Sequence, residues 1–402
     1  MIKTGSDFSG VGAFDQALRK LGIDYKTVYA CDWDKYARQT YIENYGEPTY
    51  FPKDVYEREI PKESLDIYMT SPPCQAFSLA GQRKGEADDR GVLFYNSHEF
   101  IKINKPRYFI FENVKGLLSD DGGKTFQRWL DYLGGKSVNG NPVIFPRDES
   151  VPYHIYHQVL NAKHYGVPQN RERVFIIGIR DDSDNTFTFP KDIHLTNCLK
   201  DVLEDNVDEK YYLSKKMIAG FSKHTDRHKE KGNGFKWQPK TEDDVANCLR
   251  ASSALGVTDN TLKVGFINQD TQASSVFHEN GTSPALSSGT HGYAQGYVQV
   301  KSACNQGVFI YGYTRDKKGK VIKRNKLNHS NTIHSATGSG GNTDQFASVN
   351  HKIRRLTPRE CFRLMDFPDT FTWTVSDTQA YKQAGNSIVI NVLTEILKKL
   401  KL

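Results

Sequence analysis

Ser71-Pro72-Pro73-Cys74-Gln75 follows the apolar run Leu65 to Met69 after a single residue, Thr70, and the reading of this junction decides the fold. The run has the composition of a short buried strand. The proline pair ends it, because proline has no N–H for a sheet and fixes the backbone, so the next side chain is aimed into a loop. A second apolar run, Tyr108-Phe109-Ile110-Phe111, ends in Glu112-Asn113-Val114. In an α/β sheet two parallel strands deliver such C-terminal residues to one edge, where these folds bind ligands. A thiol beside a carboxylate there, Cys74 beside Glu112, is the equipment for nucleophilic attack with acid assistance.

Outward from this junction, residues 1 to 180 alternate strand-like and helix-like segments. Ala13 to Gly22 repeats apolar residues at Phe14, Leu18 and Leu21 and stops on Gly22, a helix with a glycine end. Thr27-Val28-Tyr29-Ala30-Cys31 reads as a strand ending at Asp32, and Val174 to Ile179 as another. Strands separated by helical patterns predict a parallel sheet with crossover helices. From Lys352 the helical texture returns. Thr357-Pro358-Arg359-Glu360 is a helix start, with Thr357 as cap. Asn386 to Leu402 carries Val389, Leu393, Ile396, Leu397 and Leu400 on a core-facing stripe.

Between these blocks the texture is different. Residues 210 to 350 hold 19 Lys and Arg against 10 Asp and Glu, among many Asn, Ser, Thr and Gly. A basic region of this kind suits a polyanion, because lysines and arginines displace phosphate counterions. A weak repeat links Ala246 to Ser252, Ser283 to Ser288 and Ser330 to Ala336, which read as similar strand-and-loop units. The expected organisation is therefore one α/β domain, 1–185 plus 353–402, interrupted by a β-rich domain over 186–352.

The bulk figures exclude several classes. With 402 residues, 37% hydrophobic and 25% charged, the chain is long enough for a real core. No apolar run approaches the roughly 20 residues that span a bilayer, and Met1 to Gly5 opens no signal-peptide segment, so an intracellular place is expected. The six cysteines are scattered without CxxC spacing, which argues against a zinc site or a disulfide framework.

Two further clusters carry chemistry. Phe8-Ser9-Gly10-Val11-Gly12-Ala13-Phe14 precedes the first helix, and glycines at such a turn let backbone approach a ligand. Asp15 stands where a dinucleotide fingerprint needs its third glycine, which argues against NAD or FAD. Asp32 could accept bonds from ribose hydroxyls and Trp33 could stack on an adenine; the plain alternative is a capping aspartate and a core tryptophan. Arg171 and Arg173 are two apart at a strand start and point to one side. They suit a carbonyl or phosphate, or else form surface ion pairs.

Taken in order, these pieces resemble the DNA (cytosine-5) methyltransferase family. The blocks are Asp7 to Gly12, Asp32-Trp33-Asp34, Asp54-Val55, Ser71 to Ser78, Glu112 to Gly116, Gln169 to Gly178, Arg355 to Glu360 and Gly385-Asn386-Ser387. The resemblance implies a Rossmann-like class I methyltransferase domain with an inserted target-recognition domain. It implies catalysis by Cys74, attacking C6 of a cytosine flipped out of double-stranded DNA, and by Glu112 at N3. Arg173 and Arg171 would bind the cytosine carbonyl and order the site, and Gln75 to Leu93 would form a closing loop. The implied methyl donor is S-adenosylmethionine, leaving S-adenosylhomocysteine, with no metal. Phe8, Ser9, Gly10, Val11 and Gly12 would line its methionine side, Asp32 its ribose, and Trp33, Asp54 and Val55 its adenine; Pro73, Leu93, Asn386 and Ile388 would complete the pocket.

The resemblance further implies a cytoplasmic, nucleoid-associated monomer, in a restriction-modification system or as an orphan bacterial or phage enzyme. The first block departs from the family's common pattern, with Ser6 and Asp7 where an Asp-Leu pair usually precedes the Phe, and the ribose ligand is Asp where Glu is frequent. Thr332-Ile333 is the nearest match to the Thr-Leu-like pair of family recognition domains. The alternatives are an RNA (tRNA) cytosine-5 methyltransferase on the same scaffold and a non-catalytic nucleic-acid-binding relative. The basic insertion favours duplex DNA over RNA, because reading base edges in a groove needs added surface. The intact Cys74, Glu112 and Arg173 argue against a non-catalytic relative.

Overall fold

The computed structural model describes residues 1–73, 93–182, 185–230, 237–241, 243–251, 255–256, 259–264, 309–315, 321–327, 345–348 and 352–402. Cys74, the 75–92 segment, the repeat copies at 283–288 and 330–336, and Thr332-Ile333 lie outside the described residues. The chain separates into two compact units. One holds Met1–Leu203, Asp243–Asn260 and Leu356–Leu402; the other holds Glu204–Glu242 and Thr261–Arg355.

The first unit is built on strands β1 (Ile2–Asp7), β2 (Tyr25–Cys31), β3 (Ile67–Thr70), β4 (Tyr108–Val114), β5 (Ser137–Val138), β6 (Asn141–Pro142), β7 (Tyr153–Asn161), β8 (Gln169–Asn170), β9 (Glu172–Arg180) and β10 (Ala246–Asn247). Eight of them form one sheet in the order β2-β1-β3-β4-β9-β7-β5-β6. Every residue of β3 is buried, and all of β4 but its last. A strand covered on both faces reads as a continuous apolar run, which is why these two were legible.

The helices of this unit are α1 (Ala13–Lys20), α2 (Lys35–Tyr45), α3 (Leu93–Asn104) and α4 (Lys124–Leu133), with three more given below. On one side of the sheet α3 and α4 meet it through Phe94, Trp129 and Phe111; the Trp129 ring lies 4.3 Å from Phe94 and 5.3 Å from Phe111. Gly22, at φ +66°, takes the left-handed conformation just past α1, the backbone geometry that favours glycine at a helix end.

Two expectations are corrected. The sheet is not wholly parallel: β2, β1, β3 and β4 pair in parallel, but β9 runs antiparallel to both β4 and β7. Residues 162–171 are all that join β7 to β9, too few for the crossover of a dozen or more that parallel neighbours need. The C-terminal stripe does form one core-facing helix, but a shorter one than the stretch Asn386 to Leu402. Segment Asp377–Asn386 (α7) ends at Asn386, and Ile390–Leu397 (α8) starts anew and buries Leu393, Ile396 and Leu397. The helix start at Thr357 is as read. In α6 (Pro358–Arg363) the Thr357 hydroxyl accepts from the Glu360 N–H at 3.2 Å, and the Glu360 carboxylate accepts from the Thr357 N–H at 2.8 Å.

The second unit contains the helix α5 (Lys215–Glu230) and strands β11 (Thr261–Val264), β12 (Phe309–Arg315), β13 (Val321–Leu327), β14 (Gln345–Ser348) and β15 (Lys352–Arg355). Strands β13, β12 and β14 form an antiparallel sheet, and β11 pairs antiparallel with β15. Among the described residues no helix is long and apolar enough to cross a membrane.

Candidate active site

The parallel strands bring the candidate residues to one edge. Asp7 at the end of β1 is level with Cys31 of β2 and Thr70 of β3, and Thr70 with Phe111 of β4. So Phe8 to Gly12, Asp32-Trp33, Ser71 to Pro73 and Glu112 all emerge on that side. The side-chain amide of Asn113 reaches the Pro72 carbonyl at 3.4 Å and fastens the turn after β3 to the end of β4.

Glu112 is buried on this edge, and Arg173 faces it, Nε to Oε1 3.0 Å. The antiparallel pairing of β4 with β9, which sets Val114 opposite Arg173, makes the meeting possible. Burial pushes the Glu112 carboxyl above its ordinary range, and the Arg173 and Arg171 charges pull against that push. The pair thus holds a carboxyl that keeps a proton more readily than a solvated one.

Arg171 has a different occupation. It is buried, and its guanidinium donates to the carbonyls of Leu249 (3.2 Å), Gly385 (3.2 Å) and Ser387 (2.7 Å). A planar fork of donors suits such a task. It ties the start of β9 to the end of α7. The surface ion-pair reading fails for both arginines.

The loop after β1 is strained and anchored. Phe8 holds φ +56° although it is not glycine, and Gly10 and Gly12 hold +55° and +83°. The Ser9 N–H donates to the Cys31 carbonyl at 3.0 Å, and the Gly10 N–H donates to Asp32 Oδ2 at 2.8 Å. Asp32 also accepts from the Asp34 N–H at 2.9 Å, and burial raises its carboxyl to about 6. Asp34 caps α2 and pairs with Lys382 of α7 at 2.6 Å.

Trp33 is 83% exposed, so the core reading of this residue is overturned. Val11, Val55, Leu93 and Ile388 are buried, Pro73 is half-buried, and Asp54 and Asn386 are exposed. The Asp54 carboxylate accepts from the Tyr56 N–H at 2.9 Å.

These residues fit an adenosyl amino acid. The Ser9 hydroxyl is buried without a hydrogen-bond partner among the described residues. Nothing stands within 4 Å of a methyl group placed on Gly10. A free hydroxyl and open backbone on one side, with a carboxylate and an exposed indole on the other, answer the polar and aromatic ends of such a molecule.

A family profile described as C-5 cytosine-specific DNA methylase matches residues 2–402. The chain belongs to this family. The type II methyltransferase M.HpaII of Haemophilus parainfluenzae is 31% identical over 399 residues, 98% of this chain and 87% of the relative. The orphan methyltransferase M.SPRI of Bacillus phage SPR is also 31% identical, over 99% of this chain and 97% of its own. The Entamoeba histolytica methyltransferase EhMeth shares the fold at a TM-score of 0.58 and 16% identity, covering 99% of this chain and 97% of that one. The chain is a DNA cytosine-5 methyltransferase with the Rossmann-like α/β fold of its family.

Sequence reasoning missed Cys248 in this methyltransferase. Strand β10 pairs with β8, setting Ala246 beside Gln169 and Asn247 beside Asn170. The Cys248 sulfur then lies 3.3 Å from Arg171 Nη1 and 4.0 Å from Arg173 Nη2, and the two charges lower its thiol below the ordinary value despite burial. Only its membership of the weak repeat marked it in the sequence. Gln169, wholly buried, was likewise read only as the edge of a block; it donates to the Leu364 carbonyl at 2.7 Å and accepts from the Leu249 N–H at 3.1 Å.

Proposed function

We propose that the chain methylates C5 of one cytosine within a specific site of double-stranded DNA, with Cys74 as nucleophile and Glu112 as the acid at N3. The observation that supports this most is the buried Glu112 carboxyl held against Arg173 on the edge to which β3 delivers Pro72 and Pro73.

The chemistry follows from the groups. The Cys74 thiolate forms a bond to C6, and the ring's electron density moves toward N3, where the Glu112 proton is transferred. Free thiols ionise near pH 8.5, so a cationic neighbourhood favours the attacking form. C5 becomes nucleophilic; S-adenosylmethionine, when bound, supplies an electrophilic methyl group. Loss of the C5 proton to a base, return of the N3 proton to the Glu112 carboxylate and cleavage of the C6–S bond restore the ring, the acid and the thiolate. Arg173 would hold the cytosine carbonyl, and Arg171 the backbone around it. A stacked base is out of reach of this edge, so the cytosine is flipped, at a cost of a few kcal/mol.

Phe8, Ser9, Gly10, Val11 and Gly12 would receive the methionine end of the donor and Asp32 the ribose. Trp33, Asp54 and Val55, with Pro73, Leu93, Asn386 and Ile388, would enclose the rest. Residues 186–352 serve as the target-recognition domain, in which lysines position phosphates and Asn, Gln, Arg or Thr read base edges. The protein acts as a monomer on DNA in the cytoplasm, within a restriction-modification system or as an orphan enzyme.

The family description, a DNA methylase, favours DNA over RNA as the target. Transfer of labelled methyl groups to duplex DNA and to tRNA decides between them; preference for tRNA would reject the reading. Bisulfite sequencing of DNA from a host expressing the protein names the site.

A further inference from the structure

Asp7, at the end of β1, is enclosed together with an arginine from a distant loop. Arg58 Nη2 lies 3.0 Å from Asp7 Oδ2, and the two side chains are 2% and 0% exposed. Tyr68 of β3 donates to Oδ2 at 2.5 Å, and Tyr29 of β2 donates to Oδ1. Asp7 is thus fixed from both flanking strands. Phe100 of α3 stacks on Tyr68 at 4.1 Å and lies beneath the guanidinium at 5.4 Å.

The rest of the guanidinium reaches outward. Nη1 donates to the Val55 carbonyl, and Nη2 donates to the Asn96 carbonyl at 2.9 Å. Asn96 lies in the first turn of α3, which opens with Leu93. Asp7 itself precedes Phe8. One ion pair therefore joins three segments: the glycine loop, the Asp54-Val55 loop and the start of α3. Burying two charges is costly unless their hydrogen-bonding capacity is used; here much of it is used on backbone carbonyls of these segments.

We infer that Arg58, anchored by Asp7, is a positioning residue that holds the Asp54-Val55 loop and the start of α3 in place around the adenosyl half of the donor pocket. This rests on the reading that Val55 and Leu93 line that half. The planar fork is what the task requires, because one side chain must serve a carboxylate and two carbonyls in different directions. A lysine at the same place keeps the charge opposite Asp7 and loses the fork.

The test measures S-adenosylhomocysteine binding by calorimetry without DNA, alongside thermal melting and steady-state kinetics, on the full chain. Arg58→Lys should stay folded and bind about tenfold more weakly, as expected for a lost charge-assisted bond. Its KM for S-adenosylmethionine should rise in step, while kcat at saturation and DNA affinity stay unchanged. The pair Asp7→Asn with Arg58→Met removes both charges together and leaves the tyrosines an acceptor; it should show the same split with at least as large a loss of affinity.

A folded variant that binds S-adenosylhomocysteine as tightly as the parent overturns the inference, and so does a fall in kcat with KM unchanged. Failure of both variants to fold also overturns it, since the pair would then serve stability alone. The parent protein is the control for the wider reading: if it does not bind S-adenosylhomocysteine, the donor assignment fails, not the role of Arg58.

Discussion

Arg173 meets Glu112 because their strands run in opposite directions. Strand β4 reaches the edge at its C-terminal end and β9 starts there, so residues 112 and 173 come within 3.0 Å through Nε and Oε1. Arg173→Met removes the charge that lowers the Glu112 carboxyl and leaves the burial that raises it. The limb of the pH–rate profile that marks Glu112 deprotonation should move to higher pH, with a loss of rate of about a hundredfold. Single-turnover rates across the pH range test this. A limb that does not move would separate Glu112 from proton transfer.

Arg171 and Arg173 should part company in stability. Arg171→Met leaves the carbonyls of Leu249, Gly385 and Ser387 without this donor, a loss of about 3 kcal/mol in urea unfolding. Arg173→Met should cost clearly less, because Glu112 can take up a proton when its partner is gone. Equal losses would contradict the separate roles assigned to them.

Asp32 gives a pH dependence with a definite sign. Its folded value, about 6, lies above the ordinary carboxylate range. Its contribution to the stability of the unliganded protein is therefore fully present below that range and is lost as pH rises through about 6. Ribose hydroxyls donate to the ionised form, so donor binding should run the other way. Affinity for S-adenosylhomocysteine should improve about tenfold between about pH 5 and about pH 7 and level off above. Calorimetry giving a flat profile would remove Asp32 from the ribose.

The two glycines of the first loop should respond differently to alanine. At Gly12 the new methyl carbon would lie 2.3 Å from the Tyr45 ring and 3.1 Å from that of Tyr41, on a backbone at φ +83°. Gly12→Ala should lower the melting temperature, at a cost of about 2 kcal/mol. Gly10→Ala meets nothing within 4 Å, so it should cost only about 1 kcal/mol of backbone strain yet weaken donor binding. Unchanged binding by Gly10→Ala would place the donor elsewhere.

What could be read from sequence was what local pattern encodes. Strands β3 and β4 announced themselves because both faces are buried, and the Thr357 cap because its donors and acceptors lie three residues apart. Strand β7, with its mixed burial, and the direction of β9 did not, since strand direction depends on which neighbour each strand pairs with. The candidate residues around Glu112 came from ordered blocks; in the structure Arg173 meets Glu112, and Arg171 reaches the carbonyls of residues 385 and 387. Cys248 and the Asp7–Arg58 pair are tertiary: residues 77 and 51 positions away from their partners carry no local signal.

Covalent trapping tests the central claim most directly. Duplex DNA carrying 5-fluorocytosine at the target, incubated with the protein and S-adenosylmethionine, should give a complex that survives denaturation, because fluorine at C5 leaves no proton to lose and the C6–sulfur bond cannot be released. Cys74→Ser should bind the same DNA and give no such complex. An active enzyme that forms no stable adduct, or a serine variant that still methylates at the parent rate, would contradict attack by Cys74.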